Sequence, residues 1–388
     1  MIKLAHDTIN TEDIQNLISW LQTNPRLTQG EKVLEFEKQW SQWNGVKHSV
    51  FVNSGSSANL AMLAVHKGYN QGSLNVIAPC ISWATTVAPI IQLGFNPILC
   101  DAEEDSLGVC PSHLEQLCEE YKPSALILVH VLGSCCKMQE IHSICDYYKV
   151  TVLEDSCETV GATFWINNKL YKSGAYGAMS AFSFYFGHHM STIEGGMVCT
   201  NSDYLNNKLR MIRSHGWTRD LSLDTQRSYS STDPFHERYT FYEAGFNIRG
   251  TDLQAHLGLG QLAKLDKYIE IRRRNYDLYA DNISKFYWQP GYNVSSSNFA
   301  YPLVAPNKSI FNNLVEDLTN ADIECRPLIC GNINNQPFFK NYRKPPENFP
   351  VANRVHELGL YLPNHHSLSE EEVLYICQVV NKSIIWGG

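Results

Sequence analysis

Two adjacent histidines, His188 and His189, follow the run Phe184-Tyr185-Phe186-Gly187. His188 stands five residues after Ser183 and six before Glu194 of Glu194-Gly195-Gly196. Imidazole titrates near neutral pH, so a histidine placed beside a reactive centre can take up a proton and return it. No lysine occurs between Lys172 and Lys208, so this segment offers an imidazole and no primary amine. His188 is the candidate acid–base residue, and His189 reads as a neighbour that packs or orients. The two glycines after Glu194 allow close backbone approach or a left-handed turn.

Three further groups could work with such a base. Asn53-Ser54-Gly55-Ser56-Ser57-Ala58-Asn59-Leu60 leaves a strand and opens a helix. Backbone N–H groups and small hydroxyls at a helix start can cradle a phosphate, although an ordinary helix cap has the same look. Val152-Leu153-Glu154-Asp155-Ser156-Cys157-Glu158 places Asp155 at the end of another strand-like run. Open α/β sheets bind ligands at that end, although a lone acid there is more often a cap for the next helix. Ser183 is a second phosphate-directed hydroxyl or a buried strand serine. Trp83 begins a helical run, where its indole either stacks on a flat ring or packs in the core.

The elements that must position these groups alternate. Strand-like runs fall at 49–52, 75–79, 97–101, 125–131, 150–154 and 179–184, with helical patterns at 57–66, 86–93, 112–121 and 138–148. This rhythm predicts an α/β domain with a mostly parallel sheet covered on both faces. Residues 214–246 are polar and aromatic with weak periodicity, which reads as an excursion over a site or toward another subunit. Residues 251–283 are strongly helical in pattern, through Leu253, Leu257, Leu259, Leu262, Leu265 and Ile269. They are expected to lead from a large domain into a smaller one.

The bulk properties narrow the function. The 388 residues allow two domains, and the formal charge is −8 with no basic run, which argues against a nucleic-acid partner. No stretch reaches 18 apolar residues, so no membrane helix is expected. The first residues have no apolar signal core, which predicts a cytoplasmic protein. The twelve cysteines are scattered without a CxxC spacing, so neither a metal nor a disulfide framework is expected.

Taken jointly, the order and spacing of these motifs resemble the DegT/DnrJ/StrS sugar aminotransferase and dehydratase family of pyridoxal-phosphate (PLP) enzymes. The match runs from Leu27-Thr28-Gln29-Gly30 through Ser54-Gly55-Ser56-Ser57-Ala58 and Glu154-Asp155 to Gly245-Phe246-Asn247-Ile248-Arg249, Gln254-Ala255, Gln261-Leu262 and Arg272-Arg273. The resemblance implies a fold-type I, aspartate aminotransferase-like transferase. Residues 1–265 would form the large PLP-binding domain with its mixed, mostly parallel sheet, and 266–388 a smaller C-terminal α+β domain. Gly55, Ser56, Ser57 and Ser183 would hold the cofactor phosphate. Trp83 would stack on the ring, Asp155 would pair with the pyridine nitrogen, and Glu158 would lie near the ring hydroxyl or the substrate. Asn247 would reach the phosphate of a neighbouring subunit's cofactor, which implies a homodimer with shared sites.

The departure from the family pattern carries the functional reading. The family's cofactor lysine lies six residues before its Glu-Gly-Gly signature, and that position is His188 here. Histidine cannot bond the cofactor as the lysine does. The replacement resembles the family's sugar 3-dehydratase branch, and so does Arg326-Pro327-Leu328 followed by Gly331-Asn332 and Gln336-Pro337. The resemblance implies PLP and its amine form PMP, L-glutamate as amino donor, and loss of the C3 hydroxyl from a nucleotide-linked 4-keto-6-deoxy sugar, in surface-polysaccharide synthesis. GDP is the nucleotide it implies. His215, Arg219, Arg249 and Arg326 are the candidate substrate contacts, and Arg227, Arg238 and Tyr239 could also meet a diphosphate. One branch holds an iron–sulfur cluster on cysteines after the histidine, but no cysteine lies between Cys199 and Cys325. Two other readings remain open from sequence: a nucleotide-sugar aminotransferase, and a non-catalytic PLP-binding relative.

Overall fold

The computed structural model describes residues 1–229, 233–289, 296–344 and 348–385. The first nine strands along the described chain are β1 (His48–Val52), β2 (Asn75–Pro79), β3 (Asn96–Cys100), β4 (Ala125–Val129), β5 (Thr151–Asp155), β6 (Thr163–Ile166), β7 (Lys169–Lys172), β8 (Met179–Ser183) and β9 (Gly196–Thr200). Seven of them form one sheet in the order β1-β9-β8-β5-β4-β2-β3. Only β9 runs against its neighbours, and the pairs from β8 through β3 are parallel. The helices Gly55–Tyr69, Ala84–Gln92, Pro111–Tyr121 and Met138–Tyr148 connect the strands.

The strand composition explains the layering. Ala125, Ile127 and Val129 of β4 enter one hydrophobic core, while Leu126 and Leu128 enter another on the opposite face. Such a strand is apolar on both sides and requires helices above and below it. The parallel arrangement also places the C-terminal ends of β4, β5 and β8 at one edge. Asp155 and Ser183 are the last residues of β5 and β8.

Two elements escape the periodicity. The β6–β7 hairpin turns at Asn167 and Asn168, with φ of 49° and 60°. Asparagine tolerates that left-handed geometry, which a two-residue hairpin turn requires. The helical pattern over 251–283 is not one helix. It breaks into Asp252–Leu262 and Leu265–Asn282, although the apolar period runs on through the break. The first helix packs on the Glu31–Asn44 helix and the second on Glu370–Ile385, so each half aligns with a different partner. Within 214–246 the chain forms short helices at Leu223–Tyr229 and Pro234–Glu237, and residues 230–232 lie outside the described residues.

A second sheet holds β10 (Tyr301–Val304), β11 (Arg326–Pro327) and β12 (Gly359–Leu362) in the antiparallel order β10-β12-β11. Its core contains Tyr276, Tyr279, Tyr301, Leu314, Leu362 and Ile376. Ile2 bridges to Ile323 beside it. Among the described residues no helix is long and apolar enough to cross a membrane.

Candidate active site

The Gly55–Tyr69 helix begins at the C-terminal end of β1. Ser54 caps it by accepting the Ser57 N–H at 3.0 Å, and the Ser54 carbonyl takes the Ala58 N–H. The Gly55 and Ser56 N–H groups therefore face the helix mouth without an intrahelical acceptor. A Cβ on Gly55 would lie 2.6 Å from Ser183 Cβ and 3.1 Å from both Ser183 Oγ and Cys157 Sγ. Glycine is what lets the helix start meet the end of β8 and brings Ser183 to the same mouth. Gly196 makes a similar approach, since its Cβ would fall 2.3 Å from the Ser54 carbonyl oxygen. Ser54 and Ser57 share a hydroxyl hydrogen bond, and Ser56 Oγ donates to Thr85 Oγ1 at 2.8 Å. N–H groups, hydroxyls and the positive end of a helix converge here, the arrangement that binds a phosphate.

Gly55→Ala is expected to weaken PLP binding at least tenfold and to destabilise the fold by about 1–3 kcal/mol, because the added methyl meets a strand Cβ that cannot swing aside. Absorbance titration with PLP and thermal melts check it. Unchanged affinity would remove this cradle from the site.

Asp155 is buried, and its carboxylate is held from three sides. Oδ2 accepts from Asn59 Nδ2 at 2.7 Å and from Thr86 Oγ1 at 2.8 Å, and Oδ1 accepts the Cys157 N–H at 3.2 Å. These donors are neutral or backbone groups. None of them is a counter-charge, so the carboxylate remains available to pair with a cationic ring nitrogen. Thr85 and Thr86 lie in the Ala84–Gln92 helix, whose N-terminal cap is Trp83. One helix start therefore serves the phosphate mouth, the carboxylate and the exposed indole of Trp83, which is 58% accessible.

His188 sits in the turn after β8, where Gly187 adopts φ +89°. Its Nδ1 is 2.9 Å from the Cys157 carbonyl. A carbonyl only accepts, so Nδ1 carries the proton and Nε2 keeps its lone pair. The ring packs against Phe299 with centroids 5.1 Å apart. Burial, then the nearby Arg272 cation, pull its pKa down to about 4, against the pull of the Cys157 carbonyl and Asp155. His188 is thus a neutral base with a set tautomer. His189 is fully buried, and its Nε2 lies 3.1 Å from both the carbonyl and the hydroxyl of Ser297.

Glu158 follows the Cys157 carbonyl that holds His188. Its Oε2 accepts the Leu132 N–H at 3.0 Å. Burial pushes its pKa up to about 7, and Asp155 adds to the rise.

The other expected residues lie on the excursion and the second sheet. His215 has φ 61°, and its ring meets Trp217 edge-on. Arg219 packs on both Trp217 and Tyr239, at 4.2 and 5.1 Å to the ring centroids, and Arg249 lies 5.5 Å from Trp217. Asn247 is exposed and pairs with Ser214 in a backbone bridge. Arg326 is exposed on β11, 2.9 Å from Glu324. Sequence reasoning missed the roles of Asn59, Thr86, Phe299 and Arg272. Asn59 and Thr86 are helix residues with no motif of their own, and only the fold brings them to Asp155.

Histidine burial extends beyond the site. The pKa values of His66 and His366 fall to about 4 and that of His365 to about 3, each mainly by burial. The unfolded value is about 6.5. The stabilisation is therefore complete above pH 6.5, declines as pH drops below it, where the unfolded chain takes up protons, and is fully lost once pH has passed the folded values. A fall in Tm of at least ~5 °C between pH 7 and pH 5 is expected, and scanning calorimetry against pH checks it. A flat profile over that window would contradict the assignment.

The fold and site together define a PLP-type enzyme. The residues fit the cofactor: a glycine-built mouth for the phosphate and, at its side, a buried carboxylate ringed by neutral donors for the pyridine nitrogen. Residues 7–381 match the model of the DegT/DnrJ/EryC1/StrS aminotransferase family, and the chain belongs to that family. It is 32% identical over 399 residues to the GDP-4-keto-6-deoxy-D-mannose 3-dehydratase of Yersinia pseudotuberculosis, covering 98% of each protein. It is 28% identical to the GDP-perosamine synthase of Caulobacter vibrioides, covering 92% of this chain and 91% of that one. The solved structure of Escherichia coli GDP-4-keto-6-deoxy-D-mannose-3-dehydratase with bound hydrated PLP superposes with a TM-score of 0.90. The identity there is 31%, and the match covers 98% of this chain and 99% of the other. Among the described residues no group of three or more His, Cys, Asp or Glu side chains is placed to hold a metal ion.

Proposed function

We propose that this chain is a PLP/PMP-dependent 3-dehydratase acting in the cytoplasm on a nucleotide-linked 4-keto-6-deoxy sugar. L-glutamate is the amino donor and is oxidised to 2-oxoglutarate, and the other products are a 3-deoxy-4-keto sugar and ammonia. The observation that carries this reading is the His188 imidazole. It is neutral, with Nδ1 committed to the Cys157 carbonyl and Nε2 free, at the position where the family keeps its lysine. The cofactor, when bound, supplies an electron sink next to the sugar carbons.

The chain's own residues do the rest. The Gly55 and Ser56 N–H groups, with the hydroxyls of Ser56, Ser57 and Ser183, bind the phosphate. Asp155 keeps a proton on the pyridine nitrogen, and Trp83 covers a ring face. His188 takes a proton at Nε2 and returns it to the departing hydroxyl oxygen, so one group serves as base and then as acid. Glu158 stands beside the ring hydroxyl or the sugar. His215, Arg219, Arg249 and Arg326 bind the nucleotide and sugar, and GDP is the nucleotide carried by the names of the relatives. The sheet-bearing residues 1–265 form the cofactor domain and 266–388 the smaller one.

The active unit is a homodimer in which Asn247 reaches the partner's cofactor. Its support is the exposed apolar set near the site, including Tyr185, Phe186 and Ile193, a patch of the kind that marks an interface. The products feed surface-polysaccharide synthesis.

The test is purified protein with PLP, L-glutamate and a panel of nucleotide 4-keto-6-deoxy sugars. Ammonia, 2-oxoglutarate and product mass are read together. A product one oxygen lighter with stoichiometric ammonia supports the dehydratase. A new amino group without ammonia indicates an aminotransferase, and no turnover across the panel returns the non-catalytic reading.

A further inference from the structure

Arg272 is fully buried in the Leu265–Asn282 helix, and among the described residues it forms no ion pair with a carboxylate. A guanidinium taken out of water without a counter-charge is costly, so something must compensate it. Three backbone carbonyls do so. Nη2 donates to His188 O at 3.2 Å, and Nη1 donates to Phe299 O at 3.0 Å and to Asn364 O. The same helix holds the Asn364 segment further: Asn275 Nδ2 donates to the Asn364 side chain and the His365 carbonyl, and Tyr279 Oη donates to the Pro363 carbonyl. The carbonyl sites of Arg272 are not arbitrary. One is the backbone of His188 itself, and another is that of Phe299, whose ring packs on the His188 imidazole.

We infer that Arg272 is a positioning residue for the imidazole of this lysine-less site, holding His188 and its packing partner with one planar fork and keeping a positive charge beside the ring. The inference rests on the reading of His188 as the acid–base group. Arginine suits the task because its five donors are set in one plane, which a lysine cannot reproduce. The charge acts in the same direction as the geometry. A cation near the ring opposes protonation, while the Cys157 carbonyl and Asp155 favour it; the His189 imidazole on the same turn is itself pushed well down by burial, then by Arg272.

The test has one arm that needs neither cofactor nor substrate. Carbethoxylation of His188 by diethylpyrocarbonate, followed by peptide mass spectrometry from pH 3 to 8, reports the neutral imidazole in the unloaded protein. The second arm is steady-state kcat and KM for the nucleotide sugar. Arg272→Lys keeps the charge and loses the fork. It is expected to retain the wild-type pH midpoint while kcat falls at least tenfold and KM stays within twofold. Arg272→Met loses both, so its midpoint rises by about one pH unit and its kcat falls further. Wild-type kcat in Arg272→Lys, or a wild-type midpoint in folded Arg272→Met, would overturn the inference. If Arg272→Met does not fold, Arg272→Lys decides alone. If the dehydratase reading itself is wrong, wild-type protein shows no ammonia release while the carbethoxylation midpoints still differ, so the two failures are distinguishable.

Discussion

His188→Ala is expected to lower the rate of ammonia release by about 10²–10⁴-fold, the range assigned to a positioned acid–base group. PLP affinity should stay within a few-fold. The phosphate mouth and Asp155 hold the cofactor in this reading, and neither depends on the imidazole. The half-buried ring makes one side-chain hydrogen bond, to the Cys157 carbonyl, so its loss leaves a single backbone acceptor without that partner and the fold is expected to survive. His188→Asn keeps a donor for that carbonyl and offers no base at Nε2. It should be as inactive as the alanine variant and more stable. Single-turnover ammonia release with absorbance titration of PLP separates the two effects. Retention of more than a tenth of wild-type turnover in both variants would move the base to another residue.

Asp155→Asn has the second large effect. The substitution preserves shape and can keep contacts with Asn59 and Thr86, yet it removes the charge that in the proposed function pairs with the pyridine nitrogen. Truncating one partner of a buried, hydrogen-bonded charge pair costs about 2–5 kcal/mol, which corresponds to roughly 30- to 5,000-fold. The loss is expected in turnover and in cofactor affinity together, since the same pair anchors the ring and keeps it electron-withdrawing. Asp155→Ala should be worse. It also strands the Asn59 amide and the Thr86 hydroxyl, which reach Asp155 at 2.7 and 2.8 Å inside the protein, and buried donors without acceptors carry their own penalty. Equal cofactor affinity and equal turnover in Asp155→Asn and wild type would place the pyridine nitrogen elsewhere.

The two predictions differ in how far each was readable from the chain. His188 stood out because its position and the missing lysine are both features of the linear sequence. The α/β rhythm was legible for the same reason: a strand apolar on both faces, such as β4, leaves a continuous run that periodicity detects. The stretch over 251–283 was legible as helical, but not as two helices. Its period continues through Ala263 and Lys264, and the break is set by two different packing partners. The β6–β7 hairpin was not foreseen because its strands are short and its turn is Asn167-Asn168, a weaker signal than a glycine-containing pair.

What the sequence by itself determined is the set of chemical groups and their order along the chain: a glycine-serine helix start, an acid closing a strand, and an imidazole where the family carries an amine. What only the tertiary structure decided is the state in which those groups work. The donors to Asp155 lie 96 and 69 residues from it, the Cys157 carbonyl that sets the His188 tautomer lies 31 residues away, and Arg272 reaches the His188 backbone across 84. Protonation and tautomer depend on burial and on neighbours within a few ångströms. Those neighbours come from separate helices and loops, and the packing of the sheet and its helices alone brings them together.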